Sequence, residues 1–200
     1  MRQLLDDGVP LEKIQKAFDE FECSRNEDVE HFLKDYAIAN ECIGASRSYL
    51  YMDKAAMEKG DLNLIAFFTL AITTTDYSGI SNRKKRKIMG DYPRVSKEDR
   101  FPGFLLAQIA RDDRFKKKDL DCSNLLGLAE GMIEEAATNV GGNVIYLDCI
   151  EDLVDYYQGF GYELLPEATE DPDDEEGGDE EPRGFFKMFK VLPRITLQEN

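Results

Sequence analysis

Near the middle of the chain, Leu64-Ile65-Ala66-Phe67-Phe68-Thr69-Leu70 is almost uniformly apolar. A run of that length predicts a central strand buried on both faces. Ser46 to Tyr51 and Leu62 to Thr73 read as paired antiparallel strands, with Lys54 to Asp61 as an open hairpin loop. Upstream, Gly8-Val9-Pro10 punctuates an N-terminal helix, and Leu11, Ile14 and Phe18 continue a helical face. Phe21-Glu22-Cys23 reads as a short extended piece. Ser24-Arg25-Asn26-Glu27 then has the form of a capping box, opening a helix through about Asn40 with Val29, Phe32, Leu33, Tyr36 and Ala37 on its apolar side.

The second half repeats the alternation. Phe104 to Arg111 returns to strand, and Leu125, Leu126, Leu128, Ala129, Met132, Ile133 and Ala136 recur at helical spacing over Ser123 to Thr138. Gly141-Gly142 stops that helix. Asn143 to Cys149 follows as strand, Asp152 to Gln158 as helix, and Tyr162 to Leu165 and Phe185 to Leu192 as strands. Alternating helices and strands around a mixed sheet predict a single α/β domain over residues 1–200. Two segments interrupt it, a polar, basic insertion at 74–102 with a short helix near Asn82 to Met89, and an acidic, disordered loop at 166–184.

Charge is unevenly spread. The net charge is −16, yet Glu167 to Glu181 holds ten acidic residues and no basic one, so the remainder carries only −6. Such a block repels itself and is expected to be a solvated loop, or a tether over one of the basic clusters Arg83-Lys84-Lys85-Arg86-Lys87 and Lys116-Lys117-Lys118. An acidic chain makes nucleic acid an unfavourable partner overall. No apolar run is long enough to span a membrane, and Met1 to Asp7 lacks the pattern of a secretion signal, so a cytoplasmic protein is the expectation.

Histidine and cysteine narrow the chemistry. His31 is the only histidine, on a charge-rich helix where a solvated side chain is expected. Cys23, Cys42, Cys122 and Cys149 are scattered, so neither a zinc site nor a disulfide framework is predicted. Ser-His-Asp and Cys-His hydrolase mechanisms need an imidazole base and are disfavoured with it.

The informative order runs from Phe104 to Tyr162. The strand Phe104 to Ala110 leads into Arg111-Asp112-Asp113-Arg114-Phe115, then a charged turn, Lys116 to Cys122, and a helix. A second strand follows, and then Tyr156-Tyr157-Gln158-Gly159-Phe160-Gly161-Tyr162. This succession resembles the acyl-CoA-binding half of the GNAT N-acetyltransferase superfamily. It is most similar to a divergent subgroup with a longer pyrophosphate loop, matched at Arg111, Asp113, Phe115 and Leu125-Leu126 and departing at Asp121-Cys122. The resemblance implies a mixed, mostly antiparallel splayed sheet flanked by helices, with Phe104–Arg111 and Asn143–Cys149 as adjacent parallel strands.

It also implies acetyl-CoA as cofactor and transfer of its acetyl group to a primary amine by direct attack in a ternary complex. Ile109, Ala110 and Arg111 would pair with the pantetheine arm through the backbone. Lys116, Lys117 and Lys118, with the helix start at Cys122, Ser123, Asn124 and Leu125, would take the pyrophosphate in place of the family's glycine loop. Tyr157 matches the tyrosine placed to protonate the leaving thiolate, with packing beside Tyr156 as its alternative. For the general base, Asp148 and Glu151 both qualify; Asp148 could equally be a cap or an ion-pair partner. Gln108 is expected to satisfy hydrogen bonds rather than catalyse, and Phe160 and Tyr162 to lie in the core.

A second reading stays open. A GNAT scaffold without its glycine loop could be an inactive interaction protein working through its charged loops. The acceptor, small molecule or protein, is not specified by sequence, and a homodimer is allowed for.

Overall fold

A computed structural model describes residues 1–90, 92, 94–166 and 184–193. Eight α-helices and six strands are assigned among them, and the strands form one sheet in the order β1-β2-β3-β4-β6-β5. The strands are β1 (Arg47–Met52), β2 (Leu64–Asp76), β3 (Arg100–Arg111), β4 (Val144–Ile150), β5 (Glu163–Leu164) and β6 (Phe185–Val191). As expected of a mixed sheet, β3 and β4 run parallel, with Phe104 opposite Ile145 and Leu105 opposite Tyr146. The pairs β1–β2, β4–β6 and β5–β6 are antiparallel. The chain divides into two compact units, Met1–Ala71 with Leu106–Ile133, and Ile72–Leu105 with Glu134–Asn200.

The first unit packs α1 (Arg2–Asp6), α2 (Leu11–Asp19), α3 (Glu27–His31) and α4 (Ala37–Ile43) around Ile14, Phe18, Phe21, Leu33, Leu64 and Phe67. Phe21 and Phe67 meet edge to face with centroids 5.4 Å apart. The helix expected from Ser24 is capped instead by Asn26, whose side chain accepts from the amides of Asp28 and Val29. The reach-back acceptor is Glu30, bonded to the Cys23 amide at 2.8 Å, rather than Glu27. Between α3 and α4 lies a π-helical turn, Phe32–Tyr36. A wider turn rotates the faces that follow, so Tyr36, expected to be apolar-facing, is exposed and packs on the His31 ring. Lys54 to Asp61 is not an open loop. Asp53 caps α5 (Lys54–Glu58) by accepting from Ala55 and Ala56, and Ala-Ala-Met-Glu is a favourable helical composition.

The end of β3 is tied down by two aspartates. The Asp112 amide donates to the Ile65 carbonyl at 2.9 Å, and its fully buried carboxylate accepts from the Arg114 amide, from the guanidinium at 2.7–3.0 Å and from the Glu22 amide. The Asp113 amide donates to the Glu22 carbonyl, and its carboxylate accepts from the Ser24 amide and hydroxyl at 2.7 and 2.6 Å. Phe21 to Ser24 is thereby fixed against the strand end.

In the second unit, the stretch read as a polar insertion supplies Tyr77, Ile80, Ile88, Met89, Val95 and Phe101 to a core shared with Val144, Tyr146 and Phe189. Its helix, α6 (Asn82–Met89), has the predicted bounds. The hydroxyls of Tyr77 and Tyr146 bond at 2.8 Å, and burial pushes both phenols up from their ordinary pKa. Gly103 lies flat against the Tyr146 ring. Helix α7 (Cys122–Val140) ends at Gly141 and Gly142, which take φ of +84° and +106°. The acidic stretch 167–183 lies outside the described residues; the strands before and after it, β5 and β6, pair antiparallel as expected.

Two outcomes are expected. A Cβ at position 103 would sit 2.7 Å from Tyr146 Cδ2 and 3.0 Å from the Val144 carbonyl oxygen, with the ring buried. Gly103→Ala should therefore cost about 1–3 kcal/mol by urea denaturation. Bonds from Ser24 hold the Asp113 carboxyl below the usual carboxylate range, and bonds from Ser78 do the same for Asp76. A depressed folded pKa gives stability that is present above the ordinary pKa and lost as pH falls through the folded value. The urea midpoint should decline on acidification below about pH 4, and Asp113→Asn should flatten part of that decline.

Candidate active site

The sequence-predicted residues fall into two groups. In the first unit, Ile109 is half-buried near the end of β3, Ala110 is buried in the core, and Arg111 is half-buried with its guanidinium donating to the Leu120 carbonyl at 2.6 Å. That bond anchors the start of the loop to its end.

The loop between β3 and α7 holds no glycine and closes on itself. The Lys116 amide donates to Asp119 Oδ2 at 2.8 Å, while the Asp119 and Leu120 amides return to the Lys116 carbonyl. At the helix start, Asp121 Oδ1 accepts from the Ser123 amide at 3.1 Å, and the Asp121 carbonyl accepts from Asn124 and Leu125. Sequence reading left these amides open for a phosphate; Asp121 takes them instead. Its carboxyl is held below the ordinary range first by the Ser123 amide, with a smaller contribution from Lys117, whose Nζ lies 3.3 Å away. Cys122 and Ser123 are half-buried, Asn124 is exposed and Leu125 is buried in the helix's inner face.

An anionic cofactor can still be accommodated here. Lys116, Lys117 and Lys118 are all exposed, and both loop carboxylates are already engaged by internal donors. The donor set fits a diphosphate through side-chain charge rather than through a cradle of free amides.

In the second unit, α8 (Val154–Gln158) carries Tyr157. Its ring is buried, edge-on to Tyr156 at 5.3 Å and to Tyr162 at 5.7 Å. Gly161, at φ +86°, turns the chain so that the Tyr162 amide bonds back to the Tyr157 carbonyl at 3.2 Å. Tyr162 is core, as expected, whereas Phe160 is half-buried against Tyr156. Asp148 is exposed on β4, in register with Lys187 of β6, and Glu151 is exposed at the start of the single 3₁₀ turn Glu151–Leu153. Gln108 is half-buried on β3.

Cys149 is no nucleophile. It is buried with Sγ 3.5 Å from Met188 Sδ, and burial, reinforced by Asp148, pushes its thiol up to about 11. Among the described residues no group of histidine, cysteine and carboxylate side chains could hold a metal, and no helix is long and apolar enough to cross a membrane. Sequence reasoning missed Asp112 and Arg114 as an ion pair. The one available signal was an acidic pair bracketed by arginines at a strand end, a pattern that solvation would also explain.

No protein-family model matches the chain, and no curated protein matches it in sequence. Solved structures do match in fold. A bacterial toxin superposes with a TM-score of 0.63 at 14% identity, over 88% of this chain and 83% of that one. A tyrosine-to-phenylalanine mutant of the AtaT toxin, bound to the C-terminus of the antitoxin AtaR and acetyl-CoA, gives 0.60 at 12% identity, covering 87% and 84%. AtaT complexed with acetyl-methionyl-tRNA gives 0.60 at 17%, covering 84% and 85%. The chain, with its mixed, mostly antiparallel sheet flanked by helices, shares the fold of these toxins, which is the GNAT fold.

Proposed function

We propose that this chain is an N-acetyltransferase that uses acetyl-CoA and delivers the acetyl group to a primary amine. The observation that carries the reading is the fold shared with AtaT, a toxin solved with acetyl-CoA in a form lacking one tyrosine hydroxyl. Bound acetyl-CoA supplies an activated acetyl thioester. The backbone of Ile109 to Arg111 binds and orients the pantetheine arm, because a strand end offers peptide groups to a peptide-like chain. The ammonium groups of Lys116, Lys117 and Lys118 hold the phosphates.

Tyr157 donates its phenolic proton to the departing sulfur. A buried phenol whose ring is fixed by two neighbouring tyrosines delivers that proton from one orientation. Asp148 or Glu151, both exposed carboxylates in the same unit, accepts the proton of the attacking amine, directly or through water. A second reading, an interaction protein on this scaffold, is favoured by one observation: Asp121 occupies the helix-terminal amide where phosphate is bound in the glycine-loop form.

Thermal or urea unfolding with acetyl-CoA separates the two. At a hundredfold excess over Kd, binding should add about 2.7 kcal/mol, and no shift at millimolar cofactor would leave the interaction reading. Tyr157→Phe keeps the ring and removes the donor, so kcat should fall on the order of 10²-fold with stability and acetyl-CoA affinity little changed. Tyr156→Phe, whose ring already packs on Tyr157 and Phe160, should be silent. Acetylation by Tyr157→Phe at the parent rate would reduce Tyr157 to a packing residue.

A further inference from the structure

One face of the sheet in the second unit is covered for part of its length and then left open. Residues opposite each other in an antiparallel ladder share a side of the sheet, and so do alternate residues of one strand. Tyr146 of β4 faces Phe189 of β6, and both enter the core with Tyr77 and Ile80. The next row on that face is Asp148 of β4 and Lys187 of β6. Leu165 extends the row, its amide donating to the Lys187 carbonyl at 2.8 Å. The row beyond is Ile150 with Phe185.

The chain from Asp76 to Ile80 turns back over this face. Asp76 Oδ1 accepts from the Ser78 amide and hydroxyl at 2.7 and 2.6 Å, and the Ile80 amide donates to the Tyr77 carbonyl at 3.0 Å. Between this turn and the β5–β6 pair lies a cavity of about 820 Å³, the size of a small-molecule site, with Asp76, Ser78, Ile80, Leu165, Phe185 and Lys187 in its walls. Phe185 is 39% exposed, so the cavity opens to solvent beside the strand pair. Ile80, Leu165 and Phe185 make its walls apolar. Its charges are already answered within the protein. Asp76 has Ser78 and, at 3.5 Å, Arg100, while Lys187 stands opposite Asp148 in the ladder. A ligand of several charges would bring ions that the cavity does not match, whereas an apolar body with a single amine would cover its rings and aliphatic groups.

We propose that this cavity is the acceptor site, and that the acceptor is a small monoamine on an apolar body, an arylalkylamine in chemical class. The amine rests on the acetyl-transfer reading; the apolar body and the single charge rest on the cavity. The same geometry selects Asp148 as the proton acceptor. Asp148 shares the row of Lys187 and Leu165, whereas Glu151 begins the 3₁₀ turn past the strand end. The amine nitrogen bonds to the acetyl carbon as the carbon–sulfur bond breaks. Asp148 takes the proton that the nitrogen loses, and the departing thiolate takes its proton from Tyr157.

The test is calorimetric titration of phenethylamine into the full-length protein, with putrescine as the doubly charged comparison. Phenethylamine should bind about tenfold more tightly, because the second ammonium of putrescine meets no counterion. Phe185→Ser removes a wall ring, and Ser78→Trp fills the cavity from the turn. Both positions are exposed, so each variant should keep a urea midpoint near the parent's while binding phenethylamine about tenfold more weakly. Asp148→Asn should bind it as the parent does but acetylate it on the order of 10²-fold more slowly, with part of the rate restored in Asp148→Glu. Parent protein that does not bind phenethylamine, or binds putrescine as tightly, overturns the proposal. So does unchanged binding by both Phe185→Ser and Ser78→Trp, and acetylation by Asp148→Asn at the parent rate removes Asp148 from it. Acetyl-CoA titrated into the same samples keeps the two readings apart. Bound acetyl-CoA without bound phenethylamine defeats this inference alone. Bound phenethylamine without bound acetyl-CoA upholds the cavity as an amine site and defeats the transferase reading.

Discussion

The turn from β3 to α7 contains no glycine to let it fold tightly, and aspartate side chains accept from several of the backbone amides in and beside it. Asp112 and Asp113 bond the peptide groups of Arg114, Glu22 and Ser24, Asp119 bonds Lys116, and Asp121 bonds Ser123. Carboxylates that would be repulsive beside a phosphate are here acceptors for amides, and each is neutralised in part by the donors around it. The strand end, the loop, the helix start and the segment Phe21 to Ser24 depend on this one set of bonds.

The same arrangement leaves the proposed cofactor loop with fewer free amides. A glycine loop at a helix N-terminus binds phosphate with amides that are otherwise unsatisfied. In this protein the Ser123 amide is already satisfied, so under the proposed function attraction for phosphate would have to come from Lys116, Lys117 and Lys118. Flexible ammonium groups in water hold an anion less rigidly than fixed amides do, and their interaction is screened by salt. Recognition of this kind places more of the geometric burden on the strand that precedes the loop.

In the second unit, the order is set by large rings meeting a missing side chain. Tyr146 is buried against Gly103 and bonded to Tyr77, and Phe104 covers Gly142. These contacts fix the beginning of β3 beside β4. A basic helix can then be carried on the surface because Lys85, Ile88 and Met89 anchor it from beneath. Burying a lysine is tolerated where its ammonium has a carboxylate partner, as Asp99 provides.

The alternation of apolar runs determined the order of strands and helices along the chain and the bounds of the basic helix, while the parallel pairing of β3 with β4 was legible through the family resemblance. The alternation also put Tyr157 on a short helix before a glycine turn. Local spacing suffices for these, because burial on one face imposes a period that the sequence must show. Tertiary structure alone decided which carboxylate serves which donor. Glu22 and Asp112 are 90 residues apart, and Ser24 and Asp113 are 89 apart, so no local pattern reports their bonds. The same holds for the π-turn that exposes Tyr36, for Asn26 rather than Ser24 as the cap, and for Lys85 turned inward among four lysine and arginine neighbours turned outward. A charged residue has no period of its own. Its side is chosen by the core that its apolar neighbours enter and by the partner waiting there.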